Sequence, residues 1–230
     1  MKKTLSFIMF IILLGYSGAS YAQDDNFFTF GIKAGANLSS FRGFKHNGYA
    51  TGDRAQVRFM AGITTDFSLS RQWAILSGLE YVKKSTNLDM KIPEIDAMAP
   101  YYNTCYLQMP IHFGYKLKTA EDSNVIFHLG PYFAYGTSGD VEWVNRDTQM
   151  PSIFYLFKED AFSRFDYGMG IGINVDTKNF AINIGYDQGL KNIAKSDFSF
   201  PDKEYLDATG ISVHTWSLYL TIGYKYRLGY

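Results

Sequence analysis

The closing stretch of the chain, Thr215 to Tyr230, alternates with a strict period of two. Trp216, Leu218, Leu220, Ile222, Tyr224, Tyr226, Leu228 and Tyr230 are large and apolar; Thr215, Ser217, Tyr219, Thr221, Gly223, Lys225, Arg227 and Gly229 are mostly polar or small. Such alternation predicts a strand with two unlike faces. At about 3.3 Å per residue the run reaches roughly 50 Å, well beyond an ordinary globular strand. A tilted strand crossing a bilayer has that length. The stretch therefore predicts the closing strand of a transmembrane β-barrel.

Seven further runs carry the same signature: 28–38, 57–69, 73–82, 107–117, 125–136, 166–175 and 180–187. The run 73–82 is the weakest of them. The connections alternate between long (39–56, 83–98, 137–164, 191–213) and short (70–72, 118–124, 176–179). An even strand count with alternating long and short connections is the pattern of bacterial outer-membrane barrels. The expected fold is all-β: an eight-stranded antiparallel up-and-down transmembrane β-barrel with short periplasmic turns and long extracellular loops. Both termini would then be periplasmic, and the loops containing Phe44, Asn87, Asp147 and Asp202 extracellular.

A secreted lipocalin-like barrel has a similar strand count with its apolar face inside. Three features decide against it. The polar face is rich in glycine (Gly31, Gly35, Gly168, Gly170, Gly172), which suits a crowded lumen, whereas a solvated exterior would carry more Lys and Glu. Aromatic residues collect at both ends of the apolar face. Phe28, Phe67, Trp73, Tyr115, Phe127, Phe180 and Tyr230 mark one end; Phe59, Tyr81, Tyr135, Tyr167, Tyr186 and Trp216 mark the other. Finally, each run meets or exceeds the roughly 9–11 residues a tilted spanning strand needs. An aromatic content of 17% beside a mean hydropathy of only −0.14 fits a chain with one lipid-facing and one polar face.

The N-terminus reads as a signal peptide over residues 1–22. Lys2 and Lys3 form its positive region, 5–14 its apolar region, and Ser20-Tyr21-Ala22 or Ser17-Gly18-Ala19 the cleavage site. Residues 23–230 then form one barrel domain. The net charge of zero suggests no nucleic-acid partner, and the single cysteine, Cys105, excludes an internal disulfide and any multi-thiol metal site.

The polar face places Lys33, Arg58, Lys116, Lys225 and Arg227 in the lumen with Asp66, Glu80, Asp166 and Asp187. An eight-stranded barrel is only wide enough for its own side chains to fill, so these charges predict an internal network rather than a pore. Pro110 and Pro131, inside adjacent strands and nearly opposite, predict a bulge or loosened pairing. His112 and His128 face the lumen, His46 and His214 lie in or beside loops, and no catalytic constellation or cofactor site is evident. Calcium is conceivable at Asp140–Glu142 or Glu159-Asp160, although acidic loop residues are usually just solvated. Phe154, Tyr155, Phe157 and Phe162 in the third long loop either dock a partner or polysaccharide, or pack on the barrel rim.

Several motifs carry a family resemblance. Tyr106-Leu107-Gln108-Met109-Pro110 resembles the Tyr-Leu-x-x-Pro strand of the PorT-like outer-membrane β-barrel family. Ser77-Gly78-Leu79-Glu80-Tyr81, Phe165-Asp166-Tyr167-Gly168 and the run from Tyr186 to Ile193 resemble its third, sixth and seventh strands. The likeness covers residues 27–230. It implies the barrel fold and the outer membrane of a Gram-negative bacterium, and supplies no catalytic residues. Thr221, Gly223, Tyr226 and Leu228, with the closing Tyr230, resemble the signal by which barrel-insertion machinery recognises a last strand. The expected role is structural or surface-interacting through the loops, without catalysis, with outer-membrane lipid and the insertion machinery as partners. Because the namesake takes part in type IX secretion, an accessory role in a secretion machine is the alternative. A narrow pore and a lipid-A-modifying enzyme are lesser ones.

Overall fold

A computed structural model describes residues 28–43, 45–46, 49–50, 52–89, 101–120, 123–144, 151–195 and 212–228. The expected signal peptide, the Phe44, Asp147 and Asp202 loop positions, and Tyr230 lie outside the described residues. Eight long strands dominate: β1 (Phe28–Arg42), β2 (Gly52–Ser68), β3 (Trp73–Asp89), β4 (Tyr101–Ala120), β5 (Ser123–Val144), β6 (Phe165–Asp176), β7 (Phe180–Gly189) and β8 (His214–Leu228). Each pairs antiparallel with its neighbours in the chain, and β1 pairs with β8 from Phe28↔Leu228 to Arg42↔His214. The sheet thus closes, and the eight barrel strands leave no open edge within the membrane band.

Polarity is inside-out, as the alternation predicts. Ile222 is 61% exposed while its neighbour Thr221 is 1% exposed, and β6 alternates without a break from Phe165 to Asp176. The outward row of aliphatic side chains is bounded by aromatic clusters at both ends. Phe28 meets Phe67 at 5.1 Å and Trp73 meets Tyr115 at 5.0 Å at the short-turn end; Tyr186 stacks on Trp216 at 6.2 Å at the long-loop end. A contiguous apolar belt of this extent is untenable in water and natural in lipid.

The strands extend further than the alternation shows. At the long-loop end β2 begins at Gly52, β3 continues to Asp89, β4 begins at Tyr101 and β5 continues to Val144. Above the lipid band neither face must be apolar, so the period-two signal fades while the backbone ladder continues. There β5 gains a further partner, the short strand Pro151–Tyr155, and Lys45–His46 pairs with Tyr49–Ala50.

Pairing is loosened at the prolines. The β3–β4 ladder skips from Ser77↔Ile111 to Glu80↔Gln108, and the β4–β5 ladder from Pro110↔Tyr132 to Phe113↔Leu129, with the register unchanged across both gaps. Pro110 lacks the N–H that the ladder needs, and Ser77 Oγ donates to its carbonyl at 2.8 Å. The register shift nearest the prolines in the β4–β5 ladder lies between Cys105 and Tyr106, where Thr137 is the extra residue and its Oγ1 donates to the Cys105 carbonyl at 3.1 Å.

Candidate functional site

The barrel interior is organised in layers. Nearest the short turns, Lys225 on β8 reaches across the lumen to Asp66 on β2 at 2.6 Å and to both carboxylate oxygens of Asp176 on β6 at 2.8 Å. One cation therefore joins three strands. In the middle layer Lys33 pairs with Glu80 at 2.6 Å and Gln108 Nε2 donates to Asp187 Oδ2 at 2.8 Å. His112 and His128 stack at 5.0 Å with their Nδ1 atoms 2.9 Å apart, and His128 Nε2 lies 3.2 Å from Asn183 Oδ1. The amide oxygen accepts, so His128 carries its proton on Nε2 and takes a second hydrogen bond from Nδ1–H of His112.

The glycine row of β6 makes room for this pair. A Cβ on Gly170 would come within 2.7 Å of His112 Nε2, and one on Gly172 within 2.6 Å of His128 Cε1. Between the two lower layers lies a cavity of about 40 Å³, lined by Lys33, Asp66, Glu80, His112, Asp187 and Lys225 among others. That volume suits roughly two or three waters.

A third layer is built on Lys84, which is fully buried. Its Nζ donates to Thr215 Oγ1 at 3.2 Å, lies 3.9 Å from Asp166, and sits 5.4 Å and 5.0 Å from the ring centroids of Tyr106 and Tyr132. Thr215 Oγ1 in turn donates to Asp166 at 2.9 Å. A carboxylate, a hydroxyl and two ring faces together offset the desolvation of one ammonium.

Above it the third long loop folds into the barrel mouth. Leu156, Phe157, Ala161 and Phe162 are buried against Phe41, Tyr102, Tyr106, Tyr132, Val141, Ile193 and Val213. Ala161 and Phe162 N–H groups both donate to the Leu156 carbonyl, closing a tight turn in which Asp160 takes a left-handed φ of 58°. Arg164 clamps the turn: Nη1 donates to the Gly136 carbonyl at 3.1 Å and Nη2 to the Phe157 carbonyl at 3.4 Å. Gly139 leaves space for Phe157, whose ring a Cβ there would approach to 2.9 Å. Replacing Phe157 by alanine is expected to loosen this roof by about 3 kcal/mol. Trypsin cleavage at Lys158 in the folded protein then accelerates on the order of 100-fold, since cleavage follows the open population. An unchanged cleavage rate would show that the ring does not hold the turn.

Of the nine charges predicted for the lumen, the structure joins Lys33 with Glu80 and Asp66 with Lys225, and gives Asp166 and Asp187 partners outside that set. Arg58 departs from the expectation. It lies above the lipid band, donates to Ser85 Oγ at 2.9 Å and covers Tyr101, apart from the ion pairs below. Lys116 donates to Ser68 Oγ at 2.6 Å near the short turns. The side chain of Arg227 lies outside the described residues. The predicted single network is thus a series of separate clusters. Lys84 lies beyond Val82, where the period-two signal ends although the strand continues, and Asp176, which the alternation places in a turn, is the last residue of β6. Continuing the inward parity of β3 by one step finds Lys84.

The loop aromatics divide. Phe157 and Phe162 pack inward, Phe154 lies against the same cluster, and Tyr155 is exposed. Two of the acidic positions considered for calcium have other partners: Asp160 pairs with Lys195, and Asp140 accepts from Asn103 at 3.2 Å. Among the described residues, no three of His, Cys, Asp and Glu are grouped to hold a metal.

A closed eight-stranded antiparallel barrel, apolar outside between two aromatic girdles and packed with polar side chains inside, is a small outer-membrane β-barrel. The chain belongs to the outer membrane protein beta-barrel domain family, whose model matches residues 21–195. One solved structure shares the fold, and two others show a more distant likeness. OprG of Pseudomonas aeruginosa is similar at 14% identity, over 90% of this chain and 100% of that one, with a TM-score of 0.53. Ail of Yersinia pestis, solved with the heparin analogue sucrose octasulfate, has 12% identity over 86% and 99% of the two chains, with a TM-score of 0.40. Neisserial surface protein A has 11% identity over 86% and 97%, with a TM-score of 0.39. No curated relative matches.

Proposed function

We propose that this protein is a closed outer-membrane barrel, without catalytic activity, that presents ordered loops at the cell surface and acts through them. The observation that carries this reading is the filled interior: three polar layers beneath the apolar roof of Leu156, Phe157, Ala161 and Phe162. A barrel whose lumen is filled and whose mouth is covered by its own loop has its exposed loop residues left for interaction, among them Ile153 and Tyr155.

In this reading the short turns and both termini are periplasmic and the long loops extracellular, as in bacterial barrels generally. Residues 1–22 direct export and are removed, leaving 23–230 as the barrel domain. Thr221, Gly223, Tyr226, Leu228 and Tyr230 engage the insertion machinery, and the outer face engages outer-membrane lipid. Membership of the narrower PorT-like group fits the motifs around Tyr106 and Tyr186. The secretion-machine alternative draws no support from the comparisons.

In planar-bilayer recordings the purified protein is expected to show no stable conductance. Steady single-channel steps would overturn the closed-barrel reading and favour the narrow pore.

A further inference from the structure

The middle layer of the lumen holds an imbalance that its own side chains do not resolve. With Nδ1–H given to His128, which is itself fixed by Asn183 Oδ1, His112 keeps a bare lone pair on Nε2. Among the described residues the Asp187 carboxylate receives a single hydrogen bond, from Gln108 Nε2 to Oδ2, and its Oδ1 accepts none. Gln108 Oε1 is bare as well, and the three residues are each at most 4% exposed. Two of the bare atoms flank one place. The position of a Cβ on Gly170, which pairs with Asp187 in the β6–β7 ladder, lies 2.5 Å from Asp187 Oδ1 and 2.7 Å from His112 Nε2. Gln108, His112 and Asp187 all line the cavity between the two lower layers.

Charge and distance decide what fits between them. His112 Nε2 and Asp187 Oδ1 are both acceptors, and neither has a hydrogen-bond partner, the other included. A proton placed on either would therefore be a buried donor with no acceptor. A water could donate to both but would leave the carboxylate charge unbalanced. The lumen ammonium groups are engaged elsewhere: Lys33 with Glu80, Lys84 with Thr215 and Asp166, Lys225 with Asp66 and Asp176. A metal ion answers both needs, since it takes lone pairs about 2 Å to either side of itself and brings positive charge. One imidazole nitrogen, one carboxylate oxygen and one amide oxygen suit a divalent first-row transition metal better than magnesium or calcium. His112 also meets the usual requirement that a ligating imidazole give its other N–H to a fixed acceptor.

We propose that the lumen binds one divalent transition-metal ion, such as zinc, through His112 Nε2 and Asp187 Oδ1, with the Gln108 amide oxygen and cavity water completing its shell. The donors are sealed in the finished barrel, so the ion enters as the sheet closes. Gly170 keeps the space clear. Nearer the short turns Lys225 ties β2, β6 and β8; the ion ties β4 to β7 and gives the lumen a second brace. The site goes beyond the surface role and depends neither on it nor on the orientation of the barrel.

The test is to refold the untagged protein from urea into detergent with zinc present, desalt it into metal-free buffer and count zinc per chain by elemental mass spectrometry. The wild type is expected to keep about one equivalent. Asp187→Asn and His112→Gln, each first shown to be folded by heat-modifiable migration, should keep at least about tenfold less, because even the outer partners of a metal ligand are worth that. His214→Gln, at the long-loop end, should keep as much as the wild type. Zinc, compared with EDTA, should also raise the urea midpoint of the wild type and leave that of Asp187→Asn unmoved. No retained zinc, a wild-type midpoint that zinc does not raise, or equal retention in either lumen variant overturns the proposal, the last as adventitious surface binding. If neither lumen variant folds, copper decides in protein carrying His46→Gln and His214→Gln. Electron paramagnetic resonance coupling to a single imidazole nitrogen then supports the site, and any other pattern overturns it.

Discussion

Replacing Lys225 by methionine is expected to cost about 3–5 kcal/mol of barrel stability, the usual penalty for removing one partner of a buried ion cluster. Lys225 Nζ is the only cation within salt-bridge distance of Asp66 and Asp176 among the described residues, and all three side chains are at most 14% exposed. Without the ammonium, two carboxylates face each other across the lumen with no counter-charge. The loss comes from those stranded carboxylates rather than from the missing bond. Adding Asp66→Asn and Asp176→Asn to Lys225→Met should therefore restore most of the stability, because neutral amides can bond one another and the cavity's water. Urea titrations in detergent, followed by heat-modifiable mobility, measure all three. If the single variant matches the wild type, or the triple variant is no better than the single, the cluster is not what ties β2, β6 and β8 together.

How far this arrangement was legible in the sequence depended on what surrounds each strand. Within the lipid band the bilayer enforces strict alternation, so the facing of Ile222 and Thr221, or of Ile171 and Gly170, could be read directly. Above the band that constraint lapses. Ser85, Thr86, Asn103 and Thr104 are all buried polar residues on paired strands, and adjacent positions read as loop because both faces are polar. Lys84 is hidden in the sequence for that reason, and with it the layer it forms with Asp166 and Thr215. The folding of Phe157 into the mouth was illegible for another. An aromatic residue in a long loop looks the same whether it meets a partner or its own barrel; the difference lies in Gly136 and Gly139, which are distant in sequence and clear a space for its ring. The pairing within the lumen was equally hidden, since parity states which face a charge occupies but not its height. Lys33 meets Glu80 rather than Asp66 because the ladders set Lys33 opposite Gly62 and Gly62 opposite Glu80, a register that the alternation does not encode.

Deleting Arg227 to Tyr230 is expected to abolish membrane assembly in cells while leaving the protein able to fold in detergent. The register explains why the two outcomes separate. β7 pairs with β8 only as far as Tyr224, so within the described ladder the last four residues contribute to β1 alone, through Thr29↔Arg227 and Phe28↔Leu228. Losing two pairs from the end of a long seam removes few hydrogen bonds, each worth roughly 0.5–1.5 kcal/mol net. The remaining seam still runs from Phe30↔Tyr226 to Arg42↔His214, and Lys225 keeps its three-strand cluster. Purified truncated protein should therefore refold in detergent with heat-modifiable migration and a midpoint only modestly lowered. In cells the same deletion removes Leu228 and Tyr230 from the proposed recognition pattern, and the protein should be almost absent from the outer-membrane fraction. Failure in both settings would make the segment structural; success in both would show that the insertion machinery does not read it.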